Sequence, residues 1–408
     1  MRQHIRNIRR IVGLSSSTPA SKRLVDLPTA SALPIAICVL GALTLSLAAQ
    51  ETPDLAIIRK TPFASLDRGN VQRWVEQQME QLLACDTDQD AIQLGRTFRQ
   101  QVVEHFDATD ATKEFKDGLA KIVIQAFRQK YKPMVTQKKF PRPLGTAYAL
   151  LTMNHLATPI SAPALTLVLK SPVAGSRLVA ITGLLRIHEK IVDQQQWATV
   201  ESALREAGIV EDNPVVLSNL FRLLTTQQDT RAETAQPVIQ TILDARLDKF
   251  EKENVLPTEA DAKAAAWVGQ RAAESDSVEA TNKATLQIAR LLADAVHVCL
   301  SRNLFLSDKL TKIQTMEKEQ MERVVRTAEK QLEAIAKSKA PGVPQPDVTA
   351  AMFVPQPDQA GRVAQELDKW MGTGEEPGLL NAPPFSFSPG LGIKRAPPPS
   401  TAPSPSDT

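Results

Sequence analysis

Residues 171–187 read SPVAGSRLVAITGLLRI, and the way this stretch recurs decides the fold. Its centre, TGLLRI around Leu185, has counterparts in YALLTM around Leu150 and SNLFRL around Phe221, at spacings of 35 and 36 residues. In the first and third copies a proline stands seven residues ahead, at Pro143 and Pro214. The middle copy has Leu178 in that place, with Pro172 nearby. Between the copies lie second apolar helices, APALTLVLK (162–170) and WATVESALREAG (197–208). A unit of two helices in about 35 to 40 residues cannot bury its own faces and has to stack on its neighbours. The predicted fold is therefore all-α: stacked helical hairpins, either an α-solenoid or an irregular helical array, with a disordered Pro-rich C-terminal tail.

The rest of the chain agrees with that period. Of 408 residues 43% are hydrophobic but only 4% aromatic, and 17 glycines stand against 28 prolines, a poor composition for a β-sandwich or barrel. In SLDRGNVQRWVEQQMEQLLACD (65–86) Val71, Trp74, Val75, Met79, Leu82 and Leu83 share one helix face. A second helix is expected from Asp90 to about Phe106 and a third from Ala111 to Tyr131, stopped by Lys132-Pro133 because a residue before proline leaves helical geometry. Thr234–Glu253 is expected to be helical with Val238, Ile239, Ile242, Leu243, Leu247 and Phe250 inward. Thr258 with Asp261 forms an acidic variant of the capping box. Ser277 or Thr281 opens the next helix, through Ile288, Leu291, Leu292, Ala295, Val298 and Cys299. A long charged helix is expected from Ser307, with the stripe Leu310, Ile313, Met321, Val324, Ala328, Leu332 and Ile335.

These readings divide the chain into residues 1–49 (signal peptide or N-terminal membrane anchor), 50–66 (linker), 67–135 (N-terminal helical region), 136–255 (helical repeats), 256–340 (C-terminal helices) and 341–408 (disordered Pro-rich tail). The tail holds 14 of the 28 prolines and ends in APPPSTAPSPS, which offers too little apolar surface to offset the entropy of ordering. One island in it, DQAGRVAQELDKWM, is an amphipathic helix candidate with Val363, Leu367 and Trp370 on one side, suited to docking on the body or, alternatively, on a partner.

On the strength of SPVAGSRLVAITGLLRI and DNPVVLSNLFRLL the chain resembles the HEAT/armadillo-like helical repeat families over about residues 140–250. It departs from their pattern in lacking a regular Asp and Arg in the turn of every copy. The resemblance implies an extended binding surface.

The charge of +3 misleads. Six cations (Arg2, Arg6, Arg9, Arg10, Lys22, Arg23) and one anion, Asp26, lie in residues 1–49, which leaves 42 cations against 44 anions in the remainder. A near-neutral body predicts no nucleic-acid partner. The run PIAICVLGALTLSLAA (34–49) carries no charge, follows a cationic stretch and ends in small residues, the layout of an export signal. Its 33 leading residues are long for such a signal, so the alternative is an uncleaved anchor with its amino terminus inside. The expected location is extracytoplasmic, periplasmic or secreted, or anchored to the inner membrane by residues 34–49, with no other membrane contact. Once Cys38 leaves with a signal, only Cys85 and Cys299 remain; they are open to pairing in an oxidising compartment, but each sits on an apolar helical stripe, which favours a small buried hydrophobe.

No motif in the chain marks a site. DTDQDAI (86–92) starts like a calcium loop, but its sixth and twelfth places hold Ala91 and Thr97 instead of the glycine and carboxylate such a loop needs. Asp88 or Asp90 as a cap on the following helix is the simpler account. His188-Glu189 opens like a helical zinc motif, but position 192 is Val192, and His4, His105, His155 and His297 are isolated. No nucleophile elbow, phosphate loop or dinucleotide fingerprint is present. The sequence therefore assigns no catalytic, cofactor-binding or metal residue and no cofactor. It predicts an exported scaffold or binding protein whose partner is a protein or envelope component. The alternatives are an enzyme with a dispersed site, and a membrane-tethered structural protein.

Overall fold

The computed structural model describes residues 52–226, 230–253, 255–305, 310–353, 358–373 and 375–388, and every regular element among them is helical. The predicted leader (1–49), Ser307 and the APPPSTAPSPS run lie outside the described residues. The chain divides into two units, the first ending at Leu156 and the second beginning at Ala157.

The first unit holds α1 (Leu55–Ile58), α2 (Ser65–Leu83), α3 (Asp88–Asp107), α4 (Lys113–Thr136) and α5 (Pro143–Leu156). All six residues of the expected α2 stripe are buried. They pack α2 on α3 and α4, while α5 lies on α3. Two glycines permit this closeness. A Cβ on Gly95 would stand 2.4 Å from the Tyr148 ring, and one on Gly145 2.3 Å from the Leu82 carbonyl oxygen. One expectation needs correcting: α4 does not stop at Lys132 but runs through Pro133 to Thr136. Pro133 has no N–H for the carbonyl one turn back, yet Gln129 and Pro133 are both exposed, a position where solvent rather than a buried neighbour meets the break in the ladder.

The second unit holds α6 (Ala162–Val168), α7 (Ala174–Ile187), α8 (Gln194–Val210), α9 (Pro214–Thr225), α10 (Thr230–Glu253), α11 (Glu259–Glu274), α12 (Val278–Ser301), α13 (Lys312–Lys339), α14 (Val348–Phe353) and α15 (Gln359–Met371). Alternate helices stack into two rows. In one, α6, α8, α10 and α12 pack each on the next; in the other, α7, α9, α11 and α13 do the same. This is the stacked-hairpin array expected from the repeat spacing, with its second and third copies lying side by side as α7 and α9. The first copy, on α5, belongs to the first unit.

Capping fixes where the helices start. Asn213 accepts from the N–H groups of Val215 and Val216, with Pro214 at the first helical position of α9. The Thr258–Asp261 capping box opens α11 as expected, and Ser277 caps α12. The long helix α13 starts later than expected, at Lys312, capped by Thr311 with Gln314 as the reciprocal partner. Ile313 then falls in the first turn and is 70% exposed rather than inward. The buried stripe of α13 begins at Met321.

Within residues 341–388 the anticipated amphipathic island is α15, and α14 precedes it. Val348, Met352, Val363 and Trp370 are buried there, enough apolar surface to hold the segment against α12 and α13. Gly372 ends α15 at φ 75, where a Cβ would lie 2.1 Å from Asn381 Oδ1.

Candidate functional site

Three polar clusters stand out in the second unit. The first joins successive hairpins. Arg177, in the first turn of α7, donates from Nε and Nη2 to the two oxygens of Glu211 at 2.6 and 2.7 Å, and from Nη1 to the Ser171 carbonyl. Glu211 lies in the turn between α8 and α9. Arg246 of α10 is fully buried and donates to both oxygens of the buried Asp261 at 3.0 and 3.2 Å, and to the Glu211 carbonyl. Asp261 also accepts from the Thr258 N–H and hydroxyl, so the α11 cap and the ion pair share one carboxylate. Every acceptor here faces a donor, which is what makes buried charge tolerable. This network links the α7 turn, the α8–α9 turn, α10 and α11, and its chemistry is structural.

The second cluster is a polar seam between α10 and α12. Gln287 donates to Asp244 and to the Gln240 carbonyl, and Arg290 donates to Asp248 and Glu251. One turn further, Asp294 Oδ2 and His297 Nδ1 are buried atoms with no partner among the described residues. Burial pushes the Asp294 carboxyl up to about 7, the Glu251 charge adds to the rise, and Arg290 opposes it. A carboxyl raised from 3.8 stabilises the folded chain below about pH 4, and that contribution is lost as pH climbs to 7. Asp294→Asn should therefore gain on the parent chain across this window, by about 2 kcal/mol above pH 7 after allowing for partial solvent access. Urea midpoints of both proteins across the range measure it; a difference independent of pH would refute the assignment.

The third cluster is the best candidate site. Glu329, buried on α13, accepts from the backbone N–H groups of Val348 and Thr349 at 2.6 Å each and from Trp370 Nε1 at 3.2 Å. Burial holds its carboxyl above the usual range, while the donors from the Thr349 side chain, Thr349 and Val348 backbones and Trp370 pull it the other way. One carboxylate thus clasps the start of α14 and the end of α15. Between those two helices opens a cleft of about 440 Å³ lined by Asp347, Ala350, Ala351, Arg362, Gln365, Glu366 and Lys369. Glu366 accepts from the Asp347 N–H and from Lys369 Nζ, which holds that carboxyl below its usual range against the effect of burial. The Arg362 side chain makes no hydrogen bond or ion pair with a described residue, although its charge also favours the ionised form of Glu366. The cleft offers both charge signs on a fixed backbone, which suits a polar segment of a partner chain.

None of the lining residues belongs to a recognisable sequence motif, although four of them form the polar face of the expected amphipathic island. The Asp and His residues with motif-like spacing lie elsewhere. Thr87, not Asp88 or Asp90, caps α3, by accepting from the Asp90 N–H; Asp88 faces Arg142 at 3.7 Å. His188 Nδ1 lies 2.7 Å from the Leu185 carbonyl oxygen, and His155 Nε2 2.7 Å from Asp107. Among the described residues no group of three His, Cys, Asp or Glu side chains is placed to hold a metal ion. Cys85 and Cys299 are free thiols, and burial pushes Cys299 up to about 12. Of the described helices only α12 is long and apolar enough to cross a membrane, and it is packed among α10, α11, α13 and α15. Compared with protein-family models, curated proteins and solved structures, the chain matches none.

Proposed function

We propose that this protein is an exported helical scaffold of the cell envelope that binds a protein or envelope component, with the α14–α15 cleft as a contact point. One observation carries the binding reading. A cleft of mixed charge is fixed by a buried carboxylate to the last helices of a stacked array, and the array's other buried charges hold its hairpins in register. A rigid array with a preorganised polar cleft loses little entropy when a partner docks. The charge-free run at residues 34–49 behind clustered arginines supports export. The enzyme alternative draws on the raised Asp294 carboxyl, which does not line the cleft.

The test is affinity capture from the native envelope, with mass analysis of the amino terminus. A partner retained by the parent chain should be lost with Arg362→Glu plus Lys369→Glu, and a first residue near Ala49 or Gln50 should mark processing. An intact front in the inner-membrane fraction would replace export with anchoring. Recovery only from the cytosolic fraction would sink the envelope placement. A partner held equally by the variant would sink the cleft.

A further inference from the structure

The near-neutral total hides an uneven distribution. Between Asp117 and Glu189 the chain has no Asp or Glu and ten Lys or Arg, of which Lys121, Arg128, Lys130, Lys132, Lys138, Lys139 and Arg142 fall in the first unit. Six of them lie on α4 or in the turn that follows it. Lys121, Arg128 and Lys132 lie seven and four residues apart on α4, so they form an exposed stripe along one face, and the turn after α4 adds exposed Lys138 and Lys139. Lys138 sits at φ 55, turning the chain where these two cations project. Exposed Asp117 stands one helical turn before Lys121 at the start of the stripe, and the other neighbouring acids neutralise only the margins. Lys130 pairs with Glu80 at 2.6 Å, and Arg142 faces Asp88 at 3.7 Å. The other five cations form no ion pair with a described residue. Met134, Val135 and Phe140 lie half-buried among them.

We propose that this face of the first unit docks on the anionic leaflet of a lipid bilayer. The charge complementarity is direct, since clustered Lys and Arg without counter-charges are drawn to anionic headgroups. Four of the five unpaired cations are lysines, point charges suited to a diffuse anionic surface rather than forks matched to a fixed phosphate array. The half-buried Met134, Val135 and Phe140 provide apolar groups at the level of the headgroups. Single-stranded nucleic acid would call for exposed rings on which bases stack. Of the rings between Lys121 and Arg142, Phe127 and Tyr131 are buried and stacked on each other at 4.9 Å, and Phe140 is half-buried, so none is a fully exposed stacking platform. Ala49, the end of the apolar run, is six residues from Leu55, so a retained run would keep this unit within roughly 20 Å of the membrane. The inference does not depend on the α14–α15 cleft.

Flotation of the full chain with vesicles tests it. Phosphatidylcholine vesicles with about 30% phosphatidylglycerol are compared with pure phosphatidylcholine, so that any insertion of the N-terminal run contributes to both. The anionic vesicles should bind at least about tenfold more protein at low salt, and the excess should vanish near 0.5 M salt as the charges are screened. Reversal of Lys121, Arg128, Lys132, Lys138 and Lys139 to Glu should erase the excess. The same five changed to Gln should reduce it, and both variants should keep the parent's circular dichroism. Equal binding to both vesicle types, or an excess untouched by the variants, overturns the proposal. Tighter binding of a short DNA or RNA duplex than of the anionic vesicle, lost in the same variants, would reassign the face to nucleic acid.

Discussion

Arg246→Met should destabilise the second unit by about 3–5 kcal/mol, the largest effect expected of any single substitution in the chain. Arg246 and Asp261 are both fully buried, so removing the guanidinium leaves a carboxylate in the core with only the Thr258 donors facing it. The Glu211 carbonyl and the Phe250 ring, 5.0 Å from the guanidinium carbon, lose a partner as well. Methionine keeps most of the volume, so the loss reports the charge rather than a cavity. Adding Asp261→Asn to Arg246→Met should recover a large part of the loss, because the amide still accepts from Thr258 while the buried charge is gone. Urea unfolding followed by circular dichroism measures the cycle. If Arg246→Met costs less than about 1 kcal/mol, the buried network does not hold the hairpins together.

Glu329→Ala should release residues 341–388 before it unfolds the array. Two buried N–H groups, of Val348 and Trp370, and the half-buried one of Thr349 lose their acceptor at once, each buried one worth about 1–3 kcal/mol when left unmade. The segment can escape that cost by detaching, so the drop in global stability is limited to what its docking contributes. Limited proteolysis should cut within this segment in the variant and spare it in the parent, and the emission of the now buried Trp370 should shift to longer wavelength. Glu329→Gln should fall between them: its oxygen can still serve Val348 and Trp370, but its amide N–H groups face the Thr349 N–H. A variant with parental proteolysis and fluorescence would show that the apolar contacts of Val348, Val363 and Trp370 suffice without the clasp.

These two residues also mark the limit of reading the chain alone. The α2 stripe, the inward residues of α10, the Thr258–Asp261 box and the helix of the C-terminal island were legible, because each follows from residues within a few turns of one another. The cleft was half legible. Arg362, Glu366 and Lys369 were visible as the polar side of that island, but not Asp347 opposite them. The basic face of α4 was present as an acid-free run, and averaging the charge over the whole chain removed it from view. Pro133 and Ile313 misled in opposite directions, since their effects depend on whether the site faces water or a neighbour.

By itself, then, the sequence determined most of the helices, caps such as Thr258 and Ser277, and the spacing that makes hairpins stack, because helical periodicity and capping are local properties of the backbone. The tertiary structure alone decided that Arg177 would meet Glu211, that Arg246 would meet Asp261, and that Glu329 would hold Val348 and Trp370. Those partners are 34, 15, 19 and 41 residues apart. A charged side chain carries no mark of its distant partner. The choice follows from which helices lie side by side, and that is set by the burial of apolar faces that many pairings would satisfy almost equally well.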